Sequence, residues 1–174
     1  MNVDDLFIVN YCHPNCEPLK NIMWLPKDEA FALAHQMAEQ NKDTTAFYRF
    51  ADFENYYFRR LKTDELLYTR FIGLGGKPAV EHALSFVLMG SEYLADWFDR
   101  GTVTKIPLRD IPSEKISFTY GDSMTVLERQ GDFTMLTKDM LARKIADHPG
   151  TPEDFVEKIN EQFHYIEVQV WDRL

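Results

Sequence analysis

Lys115-Ile116-Ser117-Phe118-Thr119-Tyr120, then Thr125-Val126-Leu127-Glu128-Arg129, then Phe133-Thr134-Met135-Leu136: three β-prone runs follow one another with no helix-length segment between them. Thr102–Leu108 precedes them in the same style, and Gln130-Gly131-Asp132 between the last two predicts a hairpin turn. This breaks the strand–helix alternation that a doubly wound parallel sheet requires. The expected architecture is therefore α+β, a mainly antiparallel mixed sheet with several helices packed against it, in a single domain over residues 1–174.

Outward from that block, Thr137 predicts a helix cap before Met140, Leu141 and Ile145. Thr151-Pro152-Glu153-Asp154 combines a cap, proline at the first position and acids in the first turn. Ile166, Val168 and Val170 alternate with Glu167, Gln169 and Trp171, which predicts a half-buried terminal strand. Towards the N-terminus, Leu6–Cys12 predicts a strand, Ile22–Leu25 a second short one, and Asp28–Gln40 an amphipathic helix. Ala46–Ala51 reads as extended, Asp52 as the cap of a helix to about Leu61, and Thr63 as the cap of another ending at Gly73-Leu74-Gly75-Gly76. Ala83–Leu88 reads as a buried strand, followed by a short helix capped by Ser91.

The 174 residues are 45% hydrophobic and include 24 aromatics, enough for a packed core without disulfides or metals. The N-terminus opens with Asp4 and Asp5, and its apolar run is too short to span a bilayer, so the expected location is cytoplasmic. A net charge of −9 argues against nucleic acid and against an anionic membrane surface as partners. Charge is uneven: residues 46–78 carry +2, the remainder −11.

The most unusual composition lies inside that basic segment. Phe47 to Arg60 holds seven aromatics and three arginines in fourteen residues. Rings and guanidinium forks build interfaces and anion pockets, and they also fill cores. Tyr48, Arg49, Tyr56, Tyr57, Arg59 and Arg60 are accordingly the candidate residues for a protein partner, for self-association, or for a small anionic ligand. An acidic protein that neutralises a basic partner is a special case of the first.

Three further motifs are weaker. Cys12-His13-Pro14-Asn15-Cys16 offers Cys12, His13 and Cys16 as soft metal ligands, but a structural zinc needs four and no second pair stands at ligand spacing; no cofactor is expected. Gly73–Lys77 is followed by Pro78 where a phosphate loop needs Ser or Thr, so a helix exit explains it better. Gly121-Asp122-Ser123-Met124 resembles the nucleophile block of the GDSL hydrolases, and Glu161-x-x-His164 resembles their second block. That resemblance implies catalysis by Ser123 with His164 and a carboxylate, Asp122 or Glu161. In that family the serine block opens a parallel α/β domain, whereas here 51 residues follow Ser123. The leading expectation is thus a non-enzymatic binding protein, with a small serine hydrolase as its rival.

Overall fold

A computed structural model describes residues 2–174. Its frame is one six-stranded sheet in the order β3-β1-β2-β6-β4-β5, with β1 Phe7–Cys12, β2 Leu84–Leu88, β3 Thr102–Pro107, β4 Ile116–Tyr120, β5 Met135–Thr137 and β6 Ile166–Val170. Every ladder is antiparallel, which makes the fold α+β. Seven α-helices accompany the strands among the described residues: α1 Lys27–Gln40, α2 Tyr48–Ala51, α3 Phe53–Gly73, α4 Glu92–Trp97, α5 Ser123–Gln130, α6 Lys138–Ala146 and α7 Pro152–Phe163.

Alternation along the strands separates two faces. Ile8, Phe86, Leu88, Ile116, Phe118, Leu136, Ile166, Val168 and Val170 point to one side, where Leu141 and Ile145 of α6 and Phe155 and Val156 of α7 close the main core. Full burial of each such side chain contributes about 1.5–3 kcal/mol. The other side is crossed by α3, whose Arg60, Asp64, Leu67 and Phe71 fall on one stripe at helical spacing. Its C-terminal half makes a second core in which Phe71 stacks on Trp171 at 5.4 Å. α1 packs on α2 and α3 through Ala30, Ala34 and Phe53.

The caps at Ser91, Thr137 and Thr151 form as expected, each side chain accepting a backbone N–H; Thr151 and Asp154 make a full capping box. Four expectations fail. Thr125–Arg129 lies in α5 rather than in a strand, because Asp122 accepts from Thr125 N at 2.8 Å and starts a helix, and Gly131 ends that helix at φ +77 instead of turning a hairpin. Ala46–Ala51 is helical, not extended, since Thr44 caps a turn that continues into α2. Thr63 caps nothing: its hydroxyl donates to Arg59 O inside an unbroken α3. Ile22–Trp24 is a 3-10 turn with Asn21 as its cap.

The fifth difference matters most for function. β6 is not half-buried. It runs between β2 and β4, all five of its residues are buried, and Glu167 and Gln169 face α3 rather than water.

Candidate binding face and the polar layer beneath it

Placing a carboxylate and an amide under a helix obliges the neighbouring strands and helices to supply their partners. Ser117 Oγ donates to Gln169 Oε1 at 2.8 Å, and Trp171 Nε1 donates to Ser117 Oγ at 2.8 Å. Gln169 Nε2 is shared between Thr119 Oγ1 and Glu167 Oε1. Glu167 also accepts from Ser123 twice, the hydroxyl on Oε1 at 2.9 Å and the backbone N–H on Oε2 at 3.0 Å. α3 adds a second buried set: Asp64 takes Arg60 on Oδ1 and His82 Nδ1 on Oδ2 at 2.7 Å. Burial, followed by the charge of Asp122, pushes the Glu167 carboxyl above its ordinary pKa. Burial works against the Arg60 charge, but Asp64, Tyr56 and Glu167 outweigh it and the guanidinium is held more firmly protonated.

Above the end of this layer lies a row of rings. Tyr48 meets Trp97 edge-on at 5.6 Å, Trp97 meets Tyr93 at 6.0 Å, and Tyr93 stacks on His164 at 6.3 Å. Arg49 sits among Tyr48, Tyr56 and Trp97, 5.7 to 6.0 Å from the three ring centres. Burial lowers its pKa, yet the Tyr48 hydroxyl, Tyr56 and Asp122 more than compensate. Asp122 also lies near Tyr165, whose hydroxyl burial and these carboxylates keep protonated well above the usual tyrosine range.

The sequence candidates divide between these places. Tyr48 is 58% exposed and heads the ring row. Tyr56 is half-buried between Arg49 and the Phe50 and Phe53 rings, whereas Tyr57 packs on Phe31 and Phe53 and, among the described residues, meets no arginine of the segment. Phe47 and Phe53 are core. Arg59 is engaged by both oxygens of Glu128, and Arg60 by Asp64, so these two forks are already filled by carboxylates. Of the three arginines, Arg49 alone has no carboxylate at ion-pair distance among the described residues.

Ser123 and His164 are not brought together. Ser123 is fully buried with its hydroxyl on Glu167; His164 follows α7 against Tyr93; Glu161 is exposed; Asp122 caps α5. In the cysteine turn both ring nitrogens of His13 are engaged, Nδ1 by Asn15 N–H at 3.1 Å and Nε2 by Asp99 at 2.9 Å. Burial raises the pKa of both Cys12 and Cys16, that of Cys16 to about 11. No cluster of three or more His, Cys, Asp or Glu suited to a metal occurs among the described residues. Gly75 takes φ +94 at the α3 exit, and Gly76 N–H returns to Phe71 O, the backbone of a helix end.

Tyr93 and Trp97 were absent from the sequence candidates, as were Glu167 and Gln169; His164 was proposed only as a catalytic partner of Ser123 and instead stacks on Tyr93. The four-residue spacing of Tyr93 and Trp97 on a capped helix was a usable signal for the first pair. Nothing local marks Glu167 as buried. No family model, curated protein or solved structure matches this chain. No helix among the described residues is long and apolar enough to cross a membrane.

Proposed function

We propose that this chain is a non-enzymatic protein-binding module that docks a basic protein on the ring row Tyr48–Trp97–Tyr93. The observation that carries the reading is exposure where packing would have hidden it. Tyr48 and Tyr93 are each 58% exposed, the highest among the described large hydrophobics, and they stand on either side of Trp97 in one continuous aromatic row. Exposed tyrosines flanking a half-buried Trp97 and a partly desolvated arginine have the composition of interface hot spots. α4 presents Glu92 and Asp96 beside the rings, both sharing the single cation Arg100. With a chain charge of −9, this surroundings favours a partner rich in Lys and Arg, attracted at long range by charge and held at contact by rings.

The rival readings have less support. A small-anion site at Arg49, Arg59 and Arg60 would need forks that Glu128 and Asp64 occupy. Hydrolysis through Ser123 would need a base on a hydroxyl that instead donates to Glu167 in the interior.

The test is affinity capture from the source cells with wild-type bait and with Tyr48→Ala/Tyr93→Ala. The expected result is a basic protein retained by wild type, released as salt rises, and bound at least about tenfold more weakly by the variant at unchanged melting temperature. Equal retention by both baits, or retention indifferent to salt, rules the reading out.

A further inference from the structure

The sheet has two edges, and they are finished differently. β5 is three residues long and passes directly into α6. β3 is six residues long and pairs only with β1. Its hydrogen-bonding direction follows from its neighbours: Leu108 N–H donates to Leu6 O, while Phe7 O accepts from Met89 on the opposite side of β1. In an antiparallel ladder the pattern alternates, so Thr102, Thr104 and Ile106 direct their peptide groups to β1, and Val103 and Lys105 direct theirs outward. Val103 is also 55% exposed.

Natural edges are usually blunted by an outward charge. Here the Lys105 ammonium lies 3.5 Å above the Phe7 ring, folded over the sheet. The open segment Thr102-Val103-Thr104 is moreover the same read in either direction.

We infer that β3 is the dimerisation edge of this protein, pairing antiparallel with β3 of a second copy about a two-fold axis at Val103. Val103 faces Val103 of the partner subunit and exchanges both hydrogen bonds with it. Lys105 N–H reaches the carbonyl of the partner's Gly101, giving four bonds in all. Threonine opposes threonine on the other face. This register sets Lys105 against a residue without a side chain; a two-fold axis at Lys105 would place two ammonium groups opposite each other, which disfavours it. The result is a continuous twelve-stranded sheet held by backbone hydrogen bonds of β3, an observation separate from the ring row on which the proposed function rests.

The test is the solution mass of the full chain across a concentration series, combined with cysteine placement in a Cys12→Ser/Cys16→Ser background. Paired residues of this kind lie about 5.5 Å apart at Cα, within disulfide reach. The expected results are a mass rising from 20.4 kDa towards twice that value, a covalent dimer on oxidising Val103→Cys, and none from Lys105→Cys. Val103→Pro, which removes an outward N–H and no bond to β1, should remain folded and monomeric. A wild-type monomer at every concentration overturns the inference, as does a dimer that Val103→Pro leaves intact or one that crosslinks equally through Lys105→Cys.

Discussion

Replacing Asp64 by Ala tests whether the charges under α3 are as desolvated as their geometry implies. The Asp64 side chain is 7% exposed and that of Arg60 13%, and Asp64 is the carboxylate hydrogen-bonded to Arg60, besides accepting from His82. Removing it leaves a guanidinium in the interior with Glu167 as a more distant counter-charge and no direct hydrogen bond. Breaking a buried pair from one side costs about 3–5 kcal/mol. In a chain of this size each kcal/mol lowers the melting temperature by about 2–4 °C, so the expected loss is about 6–20 °C. Replacing both partners, Arg60→Met with Asp64→Leu, removes the uncompensated charge and should recover most of that loss. Urea denaturation of wild type, both single variants and the double variant measures the coupling directly. A cost for Asp64→Ala below about 1 kcal/mol, the range of exposed pairs, would refute the desolvated ion pair.

Two further outcomes follow from the same layer and its borders. Because the folded Glu167 pKa is raised, the folded state holds that proton longer than the unfolded chain; stability is therefore lost as pH rises from the ordinary glutamate value through the folded one. Urea midpoints of Glu167→Gln relative to wild type should shift in favour of the variant over that rise, on top of a pH-independent loss from setting an amide N–H against Ser123 N–H, and a difference flat in pH would contradict the assignment. Asp132 and Asp154, whose pKa values are lowered by hydrogen bonds from Arg70 and Thr151, act oppositely and lose their contribution as pH falls through the folded values, so the two effects separate on the pH axis. Gly76→Ala places a Cβ about 2.5 Å from the Phe71 ring, itself stacked on Trp171, and should lower stability by about 1–3 kcal/mol in thermal melts. Unchanged stability there would mean that the second core yields more easily than its packing suggests.

The residues that punctuate the chain declared themselves locally. Ser91, Thr137 and Thr151 start helices because a side-chain oxygen within three residues satisfies an exposed N–H, and that chemistry needs no distant partner. Leu6–Cys12 is legible as a strand from its apolar, β-prone run and Ile166–Val170 from period-two patterning, and the antiparallel α+β class follows from their company. Thr125–Arg129 misleads because its β-prone residues carry a weak local preference that the Asp122 cap and contacts with α3 override.

At the site the division is the same. Composition singled out the segment that holds Tyr48, Arg49 and Tyr56, but which arginine stays unpaired depended on Glu128, 69 residues from Arg59. Alternation in β6 said that Glu167 and Gln169 share a face; it could not say that α3 covers it. What the sequence determined by itself is what neighbours along the chain can satisfy: caps, turns, strand periodicity and a chain able to bury a core. What only the tertiary structure decided is which face of β6 meets a helix, which charges cancel and which rings are left in water. Each of those depends on segments far apart in the chain arriving at one place.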